Sequence, residues 1–354
     1  MSRSYKIAVF AGDGIGPEVT REAFKVMDVA AQLGGFELER EDYPHGSVHY
    51  LETGELFPQQ VIEEVRRKDA IFLGAIGDPR VEVGLVERAV ISGLRFHLDL
   101  FVNLRPIRLF ADKFCPLKDK SIMDIDFVVV RENTEDAYAG IGGIFKKGTA
   151  DEIAMQQMIY SRKGVERIIR YAFEFARKRD RKKKLMLIDK ANAIQAHDIW
   201  TRTFAEVGEE YPDIEPEHAY VDAACMWMVK NPEAFDTVVT TNLFGDIITD
   251  LAAVLQGGMG VAASGNLHPG QVSMFEPIHG SAPKYKGKNV VCPIAAIAAG
   301  QMMLDYLGEV SAASNIKCAI EKTLCSEDVT AVNASSGIPT DEWGDRVVEQ
   351  MRQL

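Results

Sequence analysis

The chain of 354 residues carries 47% apolar side chains, 29 glycines and only 14 prolines, enough to bury a large core and too long for one minimal domain. With 52 acidic against 40 basic residues, its net charge of -12 opposes nonspecific attachment to nucleic acid or an anionic membrane, so an anionic ligand must be caught by a few local cations. Five cysteines, odd in number and without CxxC spacing, argue against a disulfide framework and a cysteine zinc site and fit a reducing cytosol.

The opening Met1-Ser2-Arg3-Ser4-Tyr5-Lys6 leads straight into an apolar run, with the form of neither an export signal nor a membrane span, so a cytoplasmic protein is expected. Lys6 to Phe10 predicts a strand ending at the glycine cluster Gly12, Gly14 and Gly16. Pro17 then opens a helix over Glu18 to Leu33, which Gly34 and Gly35 stop. The same rhythm predicts a helix over Pro58 to Lys68, a strand over Ala70 to Gly74, a turn at Gly77 to Pro79 and a helix over Val83 to His97. Further strands are predicted at Asp126 to Val130, Lys184 to Ile188, Glu217 to Val221 and Thr237 to Thr241, with helices at Lys163 to Arg179 and Ile194 to Tyr211. Such alternation implies an α/β sheet. A second glycine-rich crossing at Gly257, Gly258 and Gly260 fits a split in which both chain ends share one domain.

Several motifs carry chemistry. Gly12-Asp13-Gly14-Ile15-Gly16-Pro17-Glu18 invites a dinucleotide-binding reading, yet the Rossmann fingerprint needs glycine where Pro17 stands; a structural turn is the plainer reading. Asp246 and Asp250, four residues apart, share one face of a predicted helix and suit a hard divalent cation. A solvated acidic face is the plain alternative, weakened by the apolar neighbours Leu243, Phe244, Ile247 and Ile248. Arg95, Arg105 and Arg131 are each expected to end an apolar element. One alone reads as a structural ion pair, whereas three suit a ligand with two carboxylates. Tyr138 and Lys190, read singly, are a packing tyrosine and a surface lysine.

Taken together, these segments resemble the β-decarboxylating dehydrogenases that act on isopropylmalate, isocitrate, homoisocitrate and tartrate. The resemblance spans nearly the whole chain. It rests on the Gly12 to Glu18 turn, the Arg95 to Pro106 block, Arg131-Glu132-Asn133-Thr134-Glu135-Asp136-Ala137-Tyr138, Asp189-Lys190-Ala191-Asn192, the Asn242 to Val261 signature and Glu276-Pro277-Ile278-His279-Gly280-Ser281-Ala282-Pro283. It implies an isopropylmalate dehydrogenase-like two-domain α/β fold, not Rossmann, with the active site in the interdomain cleft. Residues 1–100 and 258–354 would form the large domain with both termini and the cofactor site, and 101–257 the small domain with the dimer interface. The implied assembly is a homodimer whose active sites are completed across the interface.

What the resemblance implies for single residues is equally specific. Mg²⁺ or Mn²⁺ would be held by Asp246, Asp250 and, from the partner subunit, Asp222. Lys190, also from the partner, would take the substrate hydroxyl proton, directly or through Asp222 or water, and Tyr138 would return a proton after carbon dioxide leaves. Arg95, Arg105 and Arg131 would bind the substrate carboxylates. NAD or NADP would lie along Glu276, His279, Gly280, Ser281 and Ala282, with Ile15, Gly74 and Gly77 as further walls. Lys284-Tyr285 resembles NADP-dependent isocitrate dehydrogenases, but the tyrosine and arginine that complete a phosphate grip are absent near Ser326 to Thr330, and Cys292 replaces a usual asparagine. Both cofactors stay open.

The segment before Arg95 reads the third substituent in this family. Ile91, where isocitrate enzymes carry asparagine, favours an alkyl group and hence 3-isopropylmalate, while Ser92, Arg88 and the Asn133 segment keep isocitrate, homoisocitrate, tartrate and D-malate as alternatives. A noncatalytic regulatory subunit, the rival from another class, should lack one or more of Tyr138, Lys190, Asp222, Asp246 and Asp250. All five are present.

Overall fold

The computed structural model describes residues 3–354; Met1-Ser2, part of the start read above as unexported, lie outside the described residues. The chain opens with β1 (Arg3–Gly12), α1 (Gly16–Gly34), β2 (Phe36–Asp42), α2 (Ser47–Thr53), α3 (Gln59–Val65) and β3 (Ala70–Ala75). Pro17 stands in the first turn of α1, and Gly35 closes that helix at φ 68°, a conformation glycine adopts without strain. The single helix expected over 83–97 is divided: Gly84 at φ 77° delays its start, α4 (Leu85–Glu87) runs into a π-helical turn (Arg88–Ser92), and α5 (Gly93–His97) follows.

The middle of the chain supplies β4 (Val102–Arg108), β5 (Asp126–Glu132), the ribbon β6 (Gly142–Phe145) and β7 (Ile153–Gln156), α6 (Arg162–Arg179) and β8 (Lys184–Asp189). The helix expected from Ile194 starts as a 3₁₀ turn (Gln195–His197) and continues as α7 (Asp198–Gly208); β9 (Glu215–Tyr220) then hands over to α8 (Val221–Lys230), so Val221 opens a helix instead of ending a strand. After β10 (Thr237–Thr240) come α9 (Asn242–Leu255), β11 (Ala263–Leu267), β12 (Ser273–Pro277), α10 (Ile294–Tyr306), α11 (Val310–Cys325) and α12 (Thr340–Arg352).

Strand residues alternate between two apolar layers. Ile7 and Val9 enter a core with α1, α10, α11 and α12, whereas Ala8 and Phe10 face α3 and the π turn. Leu185 and Leu187 likewise enter the first core, while Met186 and Ile188 join Phe127, Val129 and the inner faces of α8 and α9. Strands covered on both faces read as continuous apolar runs, which is why they were legible as strands without a polar alternation.

Ten strands form one sheet in the order β2-β1-β3-β12-β11-β4-β5-β10-β8-β9. β2, β1, β3 and β12 are mutually parallel, as are β5, β10, β8 and β9; the antiparallel β11 and β4 join the two sets. This order is not the 3-2-1-4-5-6 of a Rossmann domain. Among the described residues no helix is long and apolar enough to cross a membrane.

Candidate active site

The central strands carry the basic residues. Arg105 lies inside β4 and Arg131 next to the end of β5, so the expectation that each arginine terminates an apolar element is corrected for Arg105: its strand runs on to Arg108. Both side chains are buried. Antiparallel pairing sets Asn103 of β4 opposite Arg131 and Leu104 opposite Gly265 of β11, which aligns polar side chains from distant segments on one face. Arg105 Nε donates to Asn103 Oδ1 (2.8 Å), Asn103 Nδ2 to Asn266 Oδ1 (2.9 Å), and Asn266 Nδ2 to Glu276 Oε1 (2.8 Å). Arg95 Nη2 also donates to Glu276 Oε1 (3.0 Å), closing a buried relay between two of the three arginines. Buried polar groups persist when mutually satisfied, and this relay fixes the arginine heads without consuming them. Arg95 Nε is shielded and has no hydrogen-bond partner among the described residues.

The acidic pair comes from α9. Thr241 caps its N-terminus, accepting from Phe244 N, and the four-residue spacing sets Asp246 and Asp250 on one face, toward Arg105 and Arg131. Arg131 Nη1 donates to Asp246 Oδ1 (2.6 Å), and Arg131 Nε and Nη2 reach Oδ1 of Asn242 (3.1 and 2.8 Å). Tyr138, on a 3₁₀ turn after β5, donates its hydroxyl to Asp246 Oδ2 (3.0 Å). Burial pushes the Asp246 carboxyl up, but Arg131 and then Arg105 outweigh it and hold it below the usual aspartate value. For Asp250 burial wins: it raises the carboxyl, Arg105 opposes and Asp246 adds to the rise. Burial, then the Asp246 charge, raise the Tyr138 phenol and keep it protonated.

A second group lies apart from these. Lys190 follows β8, and its Nζ is 2.5 Å from Asp222 Oδ1 in the first turn of α8. The Lys190 backbone N–H donates to His197 Nδ1 (3.0 Å), and His197 Nε2 meets the Tyr160 hydroxyl at 3.0 Å. With Nδ1 accepting, the His197 proton sits on Nε2. Burial lowers the His197 pKa, so the ring stays neutral. Asp222 does not form a three-carboxylate cluster with Asp246 and Asp250 of the same chain.

The residues expected along the cofactor divide in two. Ile15 N donates to the Ser281 carbonyl (2.9 Å), and a Cβ on Gly14 would fall 2.0 Å from that oxygen, so the glycine turn and the 279–282 loop are in direct contact. Gly77, at φ 131°, donates its N–H to Asp13 Oδ2 (2.9 Å); a Cβ there would lie 3.4 Å from Ser281 Oγ. Gly280 faces open space, and His279 Nε2 is shielded and unpartnered among the described residues while Nδ1 contacts the Gly280 carbonyl. The backbone contacts bring Ile15 and Gly77 against the 279–282 loop, and the absent Cβ atoms at Gly14 and Gly77 are what allow that close packing. Lys284 Nζ stands 4.7 Å over the Tyr285 ring beside it. Gly74 and Cys292 lie elsewhere in kind: Gly74 packs against Ala11 and Thr20, and Cys292 belongs to the apolar core, where burial pushes its thiol up to about 12. Glu276 is buried and turned to Arg95 and Asn266.

Asn103, Asn266, Thr249, Asn242 and His197 were not singled out from sequence, yet each contacts a residue that was. One signal existed for two of them: an asparagine inside the apolar strands Val102–Arg108 and Ala263–Leu267 is an anomaly that demands a partner.

The comparisons with known proteins agree with this geometry. The family model described as isocitrate/isopropylmalate dehydrogenase matches residues 6–347. The chain is 46% identical over 352 residues to a 3-isopropylmalate dehydrogenase of Thermobifida fusca, covering 99% of each chain. It is 47% identical over 345 residues to one of Mycobacterium avium, covering 97% of this chain and 98% of that one. Among solved structures, an isocitrate dehydrogenase of Methylococcus capsulatus aligns with a TM-score of 0.88 at 36% identity, covering 99% of this chain and 100% of the other.

Proposed function

The chain belongs to the isocitrate/isopropylmalate dehydrogenase family, and on that premise we propose that it oxidises and decarboxylates 3-isopropylmalate to 2-oxoisocaproate, with NAD or NADP as oxidant and Mg²⁺ or Mn²⁺ as metal. It is a β-decarboxylating dehydrogenase by family. The observation that carries the substrate reading is Ile91, four residues before Arg95 in the π turn, a partly buried apolar side chain packed against the apolar core. An alkyl substituent is favoured there over a third carboxylate. The 3-isopropylmalate dehydrogenases among the relatives support the same choice.

The donor set fits the proposed ligands. Asp246 and Asp250 offer carboxylate oxygens on one helix face, as hard divalent ions require, and the raised Asp250 carboxyl is relieved by a cation. When bound, the metal supplies Lewis-acid polarisation of the substrate oxygen and the nicotinamide accepts the hydride. Arg95, Arg105 and Arg131 orient the two carboxylates. Lys190, linked to Asp222, takes the hydroxyl proton as C2 is oxidised, and Tyr138, protonated and fixed on Asp246, delivers a proton to the carbon that has lost carbon dioxide. Residues 1–100 and 258–354 act as the large domain and 101–257 as the small one, with the substrate between them.

The proposed assembly is a homodimer in which Lys190 and Asp222 of one subunit face Asp246 and Asp250 of the other. Met226, Trp227 and Val229 on α8, Ile247 and Val254 on α9, and Ile144, Phe145, Ile153 and Met155 on the β6–β7 ribbon are exposed apolar side chains that a subunit contact would cover. The test is formation of reduced nicotinamide by the purified protein with Mg²⁺ or Mn²⁺, offering 3-isopropylmalate, isocitrate, homoisocitrate, tartrate and D-malate with each cofactor. A kcat/KM lead for 3-isopropylmalate is expected. A lead for a tricarboxylate or tartrate overturns the substrate, and silence throughout overturns the enzyme reading in favour of a regulatory subunit.

A further inference from the structure

A histidine pair outside the catalytic groups has no part in the chemistry above. His45 precedes α2 and His49 lies within it, one helical turn on. Gly54 ends that helix at φ 75°, with its N–H on the Tyr50 carbonyl, and turns the chain so that Glu55 folds back beside both rings. His49 Nε2 is 3.3 Å from Glu55 Oε2, and His45 Nε2 is 4.0 Å from the same oxygen. One ligand atom from each of the three residues lies within 4.8 Å of the other two, and among the described residues no other trio of histidine, cysteine or carboxylate groups does this.

His45 supplies the second observation. It is 7% exposed, yet neither ring nitrogen has a hydrogen-bond partner among the described residues: Nδ1 is shielded and alone, and Nε2 faces Glu55 beyond hydrogen-bond reach. A shielded imidazole without a partner calls for a reason. The ring stands edge-on to His49 at 5.0 Å between centroids and to Phe57 at 5.6 Å, and its Nε2 is the nitrogen that faces Glu55.

We propose that His45, His49 and Glu55 form a site for a divalent transition ion such as Zn²⁺, separate from the carboxylate pair on α9. Two imidazoles and one carboxylate select borderline ions over Mg²⁺, and three protein ligands leave a coordination position for water. Tetrahedral zinc with bonds near 2.0–2.1 Å needs ligand atoms about 3.3 Å apart, a contraction of under about 1 Å for His45 to Glu55, none for His49 to Glu55 and at most about 1.5 Å for His45 to His49. The ion cross-links the start, middle and end of the 45–55 segment to one another beside the glycine turn. That segment is already tied there by Asp13, which accepts from Ser47 N (2.8 Å), Val48 N (3.1 Å) and Gly77 N (2.9 Å). Occupancy therefore stabilises the glycine turn and the Gly77 loop in addition to α2 itself.

The experiment uses the full chain, stripped with chelator and dialysed against limiting Zn²⁺ in excess Mg²⁺, so that oxygen sites are filled by the harder ion. About one zinc per chain is expected in the wild type and in Asp250→Asn, with binding weakened at least 10–100-fold in His49→Ala and in Glu55→Gln. Both substituted residues are partly exposed, and circular dichroism checks that the variants fold. Co²⁺ bound to the unaltered protein should show the visible absorption of a nitrogen-ligated, low-coordinate ion. Equal zinc in His49→Ala and wild type, loss of zinc only in Asp250→Asn, or a Co²⁺ spectrum of a six-oxygen ion would each overturn the proposal.

Discussion

Lys190 and Asp222 of one chain are bound to each other, Nζ to Oδ1 at 2.5 Å, while Asp246 and Tyr138 of the same chain form their own pair at 3.0 Å. The pairing fixes which residues travel together when a site is shared between subunits. In a dimer mixed from Lys190→Ala and Asp246→Asn chains, one site of each heterodimer gathers both substitutions and the other gathers neither. Random exchange makes half the dimers mixed, so activity should return to about a quarter of the wild-type value. No recovery after verified exchange would mean that all these groups act within one chain.

The two proton-handling residues are separable by reaction step. Lys190→Ala should abolish oxidation and decarboxylation alike, whereas Tyr138→Phe should retain hydride transfer and lose roughly 10²–10⁴-fold in decarboxylation or protonation, releasing the β-keto acid. Rapid-quench analysis of that acid against carbon dioxide distinguishes the two. Wild-type activity in either variant removes the role given to that residue.

Gly245 is the contact point between α9 and the arginine beneath it. A Cβ there would lie 2.4 Å from Arg131 Cγ and 2.8 Å from its Cβ. Arg131 is 1% exposed and pinned by Asn242 and Asp246, so it has nowhere to move. Gly245→Ala should therefore destabilise the protein by about 1–3 kcal/mol, despite alanine's better helix propensity, and raise KM through the displaced guanidinium. Denaturant unfolding together with steady-state kinetics measures both.

Glu132 sets a pH dependence of stability. Its carboxyl is 1% exposed; burial raises its pKa from 4.5 to about 7, against the lowering effect of Thr134 and Glu135, whose backbone N–H groups donate to it at 2.7 and 2.9 Å. The folded state therefore holds the proton more tightly than the unfolded chain. Its stabilising contribution is complete below the unfolded value and is lost as pH rises through about 7. Glu132→Gln, which cannot ionise, should gain thermal stability relative to wild type between about pH 5 and pH 8. A gap between the two melting temperatures that stays constant over that range contradicts the assignment.

The sequence by itself determined the parts of this protein that depend on near neighbours. Apolar runs bounded by glycine and proline located β1, β3, α1 and α6 to within a few residues, and the i, i+4 spacing alone put Asp246 and Asp250 on one helix face. Sets of motifs in order along the chain were enough for the family. The division of residues 83–97 into α4, a π turn and α5 was not legible, because a wide turn is imposed by packing and leaves no mark on the hydrophobic period. Nor was the relay from Arg95 through Glu276, Asn266 and Asn103 to Arg105, which joins residues as far as 181 positions apart. Its existence follows from β11 lying antiparallel between β12 and β4, a strand order that local propensity does not encode. The same holds for His45 and Glu55, brought together by a single left-handed glycine. Periodicity is a property of adjacent residues, whereas the burial of a polar partner is settled only when the whole sheet closes over it.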